Sequence, residues 1–333
     1  MLNHRSVLLI FILGLFVAPY PSFAAEPSQK KWWPSEWGSD DQLGALNRLN
    51  PTKVLQAASL IKTGKIYDMA HIFEEDMPLF ELTPEDRKYT LTVPGAPSWG
   101  PMGDNQLVWN EDYIAGHLSQ DGTQFDSLSH MATVVGDVKN LKDIRYYNGL
   151  SHADIGSGRG FKKLGVEQVK PIFTRGILID IAGYKKRMLA CSEEISVADL
   201  KAALIAQGQS EASIQPGDAL FYYTGWGALW KTDNKKFNSC TPGLSAQAGD
   251  WLVAKKVVLV GSDNWAVEAI PGPDPTIFAP NHQKFLVENG IYIMENVDFR
   301  SLLADQVYEF AFVFGAIPFK GATGSPARPF AVR

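Results

Sequence analysis

HLSQDGTQFDSLSH, residues 117 to 130, concentrates polar side chains around one tight turn. Gly122 and Thr123 allow the chain to reverse there, and residues at positions i and i+2 of an extended segment share a face. The turn can therefore aim several side chains at one point. The candidates are Gln120, Gln124, Asp126 and His130. Taken alone, the stretch has two interpretations: one half of a metal site, or a hydrogen-bonded polar loop.

A second set of candidate ligands lies far downstream, in NHQKFLVENGIYIMEN, residues 281 to 296. His282 falls in the first turn of a predicted helix, and Glu295 ends a very apolar predicted strand. A carboxylate that continues such a strand is costly to bury unless it is paired or bound to a metal. Both residues are therefore predicted ligands. The alternatives are a salt bridge to an arginine for Glu295 and a surface or helix-cap contact for His282.

The second half of the chain predicts the fold class. From residue 174 onward, short apolar strands alternate with helices, a pattern typical of an α/β domain whose sheet is covered by helices. Strands are predicted within residues 174–182, 218–225, 257–263, 291–297 and 307–319. Helices are predicted within residues 196–208, 245–256 and 279–290, with Ser196 placed to cap the first of them.

The first third of the chain is less regular. Residues 51–64 begin with a proline, end with a glycine and space their apolar residues as a helix does. Residues 65–73 are predicted to be a strand, residues 78–105 a loop because they contain five prolines, and residues 106–119 a strand. No internal repeat or low-complexity linker interrupts the chain. One domain preceded by an N-terminal arm is the simplest organisation.

The N-terminus has the plan of a secretory signal peptide. A basic start at Arg5 precedes an apolar run from Val7 to Val17 and then several small residues. The run is short for a membrane span of roughly 20 residues, and an uncleaved anchor is the alternative. We predict a signal peptide over residues 1–24, an N-terminal arm and helix over residues 25–60, and the main domain over residues 61–333. The protein is therefore expected to be periplasmic or secreted.

Composition excludes several classes of protein. The 333 residues carry a formal net charge of −5, with 45% apolar and 20% charged residues, which offers no basic surface to nucleic acid. No other stretch is apolar enough to span a bilayer, so no membrane association is expected after signal cleavage. Nucleophile-elbow, H-E-x-x-H and Walker motifs are absent. Export would permit a disulfide between the two cysteines, Cys191 and Cys240, with free thiols as the alternative.

Residues 120–130 resemble the signature of the cyclase family of metal-dependent hydrolases, which includes bacterial kynurenine formamidase and isatin hydrolase. That signature reads H-x-G-T-H-x-D-x-P-x-H. The glycine, threonine, aspartate and last histidine match, whereas glutamine occupies both metal-binding histidine positions and Leu128 replaces the proline. Gln124 resembles a longer branch of the family that has G-T-Q in place of G-T-H. Five further blocks, in the family's order, extend the resemblance over about residues 60–333.

The resemblance implies a swivelling β/β/α-type fold, a mixed sheet, a homodimer or homotetramer, and one bound divalent ion. The implied ligands are Gln120, Gln124, Asp126, His282 and Glu295. Two carboxylates balance the ion's charge, and one imidazole among several oxygens favours manganese or magnesium, although zinc also tolerates such ligands. The catalytic residues are expected to be His130, as a proton shuttle, and Glu295, which shares the proton transfer. A supporting or helix-cap role is the alternative for His130.

The implied activity is arylformamidase-like hydrolysis of a C–N bond other than a peptide bond, in a small amide, formamide or lactam, or hydrolysis of a lactone. Asp263, Asn264 and Glu268 could face the same pocket. The alternative is an exported protein with this fold that binds a small molecule but has lost catalytic activity, and the replacement of two histidines by Gln120 and Gln124 would reflect that loss. A lyase or cyclase is a third possibility. Five tryptophans are candidates for a pocket that accepts an aromatic substrate, with core packing as the alternative: Trp99, Trp109, Trp226, Trp230 and Trp265.

Overall fold

The computed structural model describes residues 31–80 and 87–333, so the predicted signal peptide lies outside the described residues. Nine strands form one mixed sheet, which confirms the predicted α/β class. In chain order they are β1 (Ile66–Asp68), β2 (Gln124–Asp126), β3 (Ile172–Asp180), β4 (Ala219–Tyr223), β5 (Leu259–Ser262), β6 (Tyr292–Glu295), β7 (Glu309–Phe314), β8 (Gly324–Pro326) and β9 (Phe330–Val332).

The strand order across the sheet is β1-β9-β7-β3-β4-β5-β6-β2-β8. The four central strands, β3 to β6, run parallel to one another. All other neighbouring pairs in this sheet are antiparallel. The central strands are almost continuously apolar and buried because parallel strands are covered on both faces.

Within residues 31–80 and 87–333 there are eight α-helices, and they are α1 (Pro51–Ala58), α2 (His152–Ile155), α3 (Ile181–Lys185), α4 (Val197–Ala206), α5 (Asn234–Ser239), α6 (Ala246–Ala254), α7 (Pro280–His282) and α8 (Arg300–Ala304). Short 3-10 helices cover Gly44–Arg48, Tyr147–Gly149, Val166–Gln168, Glu211–Ser213 and Trp226–Leu229. Helix α7 continues as the π-helical segment Gln283–Glu288. Among the described residues, no helix is long and apolar enough to cross a membrane.

Helix α4 begins where the sequence predicts. The Ser196 side chain accepts a hydrogen bond from the Asp199 amide, and the Asp199 carboxylate accepts one from the Ser196 amide, forming a capping box. Helix α1 begins at the predicted proline but ends at Ala58, before the glycine. Its Lys53 ammonium pairs with buried Asp218, which also accepts a hydrogen bond from Arg175 in β3 at 3.1 Å. This ion network ties α1 to the sheet.

The prediction of a loop over residues 78–105 is wrong in part. Strand Tyr89–Thr92 pairs antiparallel with Tyr113–Gly116, and Trp99–Met102 pairs antiparallel with Leu107–Trp109. The predicted single strand over residues 106–119 is thus two strands. We call residues 89–116 the ribbon. Pro94 and Pro97 lie between the paired segments, and Pro101 lies within Trp99–Met102 where the register of the ladder shifts, because proline has no N–H to donate to a regular ladder.

Other local pairings complete the fold. Thr133–Val134 pairs antiparallel with Ile144–Arg145, and Glu194–Ile195 pairs parallel with Gly243–Leu244. A disulfide joins Cys191 to Cys240, with the two Cα atoms 5.7 Å apart, so the bridged alternative is the correct one. It connects the loop after α3 to the residue that follows α5.

Candidate metal centre

The two candidate halves meet because β2 and β6 are neighbours in the sheet. In the antiparallel register Glu295 lies opposite Gln124, and Ile293 lies opposite Asp126. The Gln124 side-chain amide donates a hydrogen bond to Glu295 Oε2 at 3.0 Å. Residues far apart in the sequence are therefore in direct contact at the end of strand β6.

The turn before β2 brings Gln120 to the same point. Its side-chain amide donates to Asp126 Oδ1 at 3.1 Å, and its carbonyl oxygen accepts from the Gln124 amide at 3.2 Å. The turn requires glycine at position 122, where φ is +62° and a Cβ atom would lie 2.6 Å from the ring of Phe73. The predicted convergence of the three polar side chains is confirmed.

Helix α7 carries His282 into the group. The imidazole Nε2 lies 3.3 Å from Glu295 Oε1 and 4.0 Å from Asp126 Oδ2. Its Nδ1 lies 2.6 Å from Glu268 Oε1, and Glu268 Oε2 accepts the backbone N–H groups of Asn281 and His282 at 2.9 Å each. A proton on Nδ1 is held by Glu268, which leaves Nε2 facing the two other carboxylates.

His130 lies close enough to Asp126 and His282 to bind the same metal ion. Asp126, His130 and His282 each offer a ligand atom, and these atoms all lie within 4.8 Å of one another. The two imidazole ring centres are 6.3 Å apart. Burial lowers the pKa of His130, although the nearby Asp126 carboxylate opposes this shift. The geometry thus makes His130 a candidate ligand as well as a candidate proton carrier.

The electrostatics of the group fit a cation. Asp126 and Glu295 are 0% and 3% exposed, and neither Asp126 Oδ2 nor Glu295 Oε1 has a hydrogen-bond partner among the described residues. Burial raises the pKa of Glu295 to about 8, His282 opposes the shift, and repulsion from Asp126 adds to it. Burial disfavours a charged His282, yet Glu268 and Glu295 outweigh it and raise its pKa well above the usual value. Buried anionic oxygens without donors are costly, and a divalent ion would neutralise them.

A cavity of about 190 Å³ opens onto this group. Gln120, Gln124, His130, His282 and Glu295 line it, with Asp126 adjacent to them. Its apolar wall is formed by Phe80, Met131, Phe237, Trp265, Ile270 and Phe278. A polar cluster at one end of an aromatic cavity is the usual composition of a small-molecule site.

Most of the other predicted pocket residues lie elsewhere. Of the five tryptophans only Trp265 lines the cavity. Trp226 and Trp230 pack in a satellite core cluster, and Trp99 and Trp109 belong to the ribbon. Asp263 accepts hydrogen bonds from the amides of Thr224 and Gly227, and the Asn264 amide donates to the Pro242 carbonyl. These two residues hold loops together, while Glu268 reaches the site through His282.

Arg87 and Asp121 were not expected at the site. The Arg87 guanidinium donates to the Gln120 carbonyl, and Nη1 lies 3.7 Å from Asp121 Oδ1. Burial raises the pKa of Asp121 to about 6, and Arg87 opposes that shift. Arg87 comes from a proline-containing segment with no periodicity, so no local pattern indicated its position. Asp121 is adjacent to a predicted ligand, which was the one available signal.

Together, the mixed sheet and the carboxylate–imidazole group define an α/β protein with a buried site suited to a metal ion. Comparison with known proteins identifies the family: a family model described as "Putative cyclase" matches residues 67–269, and the chain belongs to this cyclase family. A crystal structure described as a novel cyclase is 31% identical, with a TM-score of 0.75, over 89% of this chain and 98% of that one.

Two isatin hydrolase structures share the fold. Isatin hydrolase A from Labrenzia aggregata, bound to benzyl benzoate, is 17% identical with a TM-score of 0.59, over 83% of this chain and 94% of that one. Isatin hydrolase A from Ralstonia solanacearum is also 17% identical with a TM-score of 0.59, over 86% and 98% of the two chains. No curated protein matches the chain in sequence.

Proposed function

We propose that the protein is a metal-dependent hydrolase that cleaves the C–N bond of a small aromatic amide, formamide or lactam, or opens a lactone. The observation that carries this proposal is the convergence of Asp126, His282 and Glu295, with two donor-free carboxylate oxygens, at the end of an aromatic cavity. Membership of the cyclase family and the fold shared with isatin hydrolases support the same class of reaction.

The residues present fit one divalent ion. Asp126, His282 and Glu295 would hold it. The Gln120 and Gln124 side-chain amides donate to the two carboxylates, and the Gln124 amide also donates to the Gln120 oxygen, so their carbonyl oxygens would add neutral ligands only after the amide groups turn. One nitrogen among oxygens suits manganese or zinc, and also magnesium. When bound, such an ion supplies an ionised water at neutral pH and polarises the substrate carbonyl.

The protein's own groups perform the proton transfers. His130 accepts the proton released from the attacking water and delivers it to the leaving nitrogen, for which it must stay free of the metal. Glu295, whose Oε1 lies 3.3 Å from His282 Nε2, shares this work. Glu268 keeps the His282 Nε2 directed at the site by holding Nδ1. The aromatic wall around Trp265 orients the ring of the substrate and excludes water.

We also propose that the protein is exported to the periplasm or secreted and that it forms a homodimer or homotetramer. The signal-like N-terminus supports export, and the Cys191–Cys240 disulfide is the kind of bridge that persists in an oxidising compartment. The partners proposed are a small-molecule substrate and further copies of the chain. Neither nucleic acid nor a membrane is among them.

The decisive experiment is an assay of the metal-loaded protein against N-formyl-arylamines, lactams and lactones, with metal content measured in parallel. His130→Ala is expected to retain about one metal ion per chain while turnover falls at least a hundredfold, which is the usual contribution of a general base. Loss of metal in this variant would instead make His130 a ligand. A wild-type protein that binds metal but hydrolyses no member of the panel would favour the inactive binding protein.

A further inference from the structure

Asn296 directly follows Glu295 at the end of β6, lines the cavity and is 5% exposed. Its backbone lies in the left-handed region, with φ at +54°, a conformation that asparagine and glycine adopt more readily than other residues. The backbone N–H donates to the Asn264 carbonyl at 2.9 Å, and the backbone carbonyl accepts from Thr123 Oγ1 at 2.6 Å. These contacts fix the residue in the cavity wall.

One polar atom of Asn296 is unused. The side-chain nitrogen donates to the Gly122 carbonyl at 2.8 Å, which sets the orientation of the amide group. The side-chain oxygen, Oδ1, is buried and has no hydrogen-bond partner among the described residues. A buried carbonyl oxygen without a donor is destabilising, so an unpaired one in the wall of a cavity indicates a donor that arrives with a ligand.

Asn148 shows that the backbone conformation alone does not leave an asparagine amide unpaired. This residue is 6% exposed and also left-handed, with φ at +56°. Its side-chain nitrogen donates to the Gly38 carbonyl at 2.8 Å, and its side-chain oxygen accepts from the Ser35 N–H at 2.8 Å. Asn148 is outside the cavity that opens onto the metal group. The two asparagines thus share a conformation and differ in whether the amide oxygen has a donor.

The other unpaired oxygens of the cavity wall are charged and have a partner nearby. Glu295 Oε1 belongs to the metal group, and Asp121 Oδ1 lies 3.7 Å from Arg87 Nη1. Among the described residues that line the cavity, no buried side-chain nitrogen lacks a hydrogen-bond partner. The wall therefore lacks donors rather than acceptors, and Asn296 Oδ1 is its uncharged unpaired acceptor. A neutral N–H group is a suitable partner for it.

We infer that Asn296 is a specificity-determining residue whose side-chain oxygen accepts a hydrogen bond from the N–H group of an amide or lactam substrate. The inference rests on the proposed function, since it takes the ligand of the cavity to be an amide. It also narrows that function, because a lactone or an N-alkylated amide would leave the acceptor unpaired. A site built to pair a substrate N–H rejects an analogue without it more strongly than an apolar pocket does.

The test compares two ligands of the same shape, oxindole and indan-2-one, in which a methylene group replaces the lactam N–H. Isothermal titration calorimetry measures their binding to the metal-loaded wild type, to Asn296→Gly and to the matched control Asn148→Gly. Glycine tolerates the left-handed backbone at both positions and removes the side-chain amide. Circular dichroism and metal analysis verify the fold and the metal content of each variant. Only binding is measured, so the result does not require turnover.

The wild type and Asn148→Gly are expected to bind oxindole about 10–100-fold more tightly than its methylene analogue, the usual penalty for leaving a buried hydrogen-bonding group unpaired. Asn296→Gly is expected to bind the two ligands equally, because the acceptor is gone. Equal affinities in the wild type, a preference for oxindole that survives in Asn296→Gly, or no binding of oxindole at its solubility limit would each overturn the inference. The wild-type comparison stands even where Asn296→Gly does not fold.

The assignment of Asn296 and the proposed hydrolase fail on different results. A wild type that prefers oxindole but hydrolyses no amide, formamide, lactam or lactone would refute the hydrolase and support the assignment. A wild type that hydrolyses such compounds but does not distinguish oxindole from its methylene analogue would refute the assignment and leave the hydrolase intact.

Discussion

Replacing Asp126 with asparagine tests the metal site directly. Asparagine has the same shape, and its carbonyl oxygen can still accept the hydrogen bond from Gln120 at 3.1 Å. The substitution removes one of the two negative charges that face His282 Nε2, from a distance of 4.0 Å. Unit charges 4 Å apart at an effective dielectric constant of about 20 interact by about 4 kcal/mol, which is a lower bound for a divalent ion that Asp126 would hold directly. We therefore expect Asp126→Asn to weaken metal binding at least about a thousandfold, since each 1.4 kcal/mol is a factor of ten.

The stability of the metal-free protein supplies the control for folding. Repulsion from Asp126 contributes to the raised pKa of Glu295, so removing that charge relieves a buried like-charge contact. Metal-free Asp126→Asn should unfold at the same denaturant concentration as the wild type or at a higher one. Isothermal titration of manganese and zinc into both proteins, with urea unfolding in parallel, separates lost affinity from lost fold.

Two results would refute this reasoning. One is wild-type affinity for both metals in a folded Asp126→Asn variant, which would mean that Asp126 does not face the ion. The other is a wild-type protein that binds neither metal stoichiometrically. In either case the group of buried carboxylates would require another explanation, such as a shared proton.

Three further predictions concern Glu268, His71 and the disulfide. Glu268→Gln should weaken metal binding 10–100-fold by titration calorimetry, because it loosens the imidazole that Glu268 orients, whereas Glu288→Gln should have no effect. Burial lowers the pKa of His71 to about 4, below its ordinary 6.5. As the pH falls below 6.5, His71 therefore becomes protonated in the unfolded chain before it does so in the folded protein. About 3 kcal/mol of unfolding free energy present above pH 6.5 is then lost as the pH falls to 4. Between these two pH values the unfolding free energy of His71→Phe, measured with urea, should fall less than that of the wild type. Removing the disulfide by Cys191→Ser and Cys240→Ala should cost about 2–5 kcal/mol of unfolding free energy, and added reductant should destabilise only the wild type.

Much of the site was predictable because its residues lie at recognisable ends of elements. Glu295 ends an apolar strand, His282 lies in the first turn of a helix, and Gln124 and Asp126 are two residues apart on a strand. Such positions follow from periodicity and from helix start signals, which depend on neighbouring residues only. That the two sets of ligands meet was inferred through the family resemblance, and the pairing of β2 with β6 that joins them was not predicted, since strand pairing has no local signature.

The aromatic wall of the cavity was largely unpredictable. Trp265 was one of five candidate tryptophans, and nothing in the sequence distinguished it from Trp226, which is buried beside it in the satellite cluster. Phe80, Phe237 and Phe278 come from three separate segments. Whether an aromatic side chain faces a cavity or the core depends on how those segments pack. Aromatic residues that line a cavity are of the same types as those that fill the core, so residue type does not distinguish them.

Three features follow from local sequence alone: the alternation of helices and strands, the capped start of α4 and the types of donor available to a cation. Those features rest on interactions between residues near each other along the chain. Three other features are visible only in the folded chain: Glu268 holds His282, His130 lies within ligand distance, and the proline-containing stretch from residue 89 pairs into a ribbon. The two contacts in the site depend on how separate segments pack and on burial, which sets the cost of an unpaired charge, and burial is a property of the folded chain. The ribbon pairs strands within residues 89–116, but the prolines in that stretch conceal the strand pattern in the sequence.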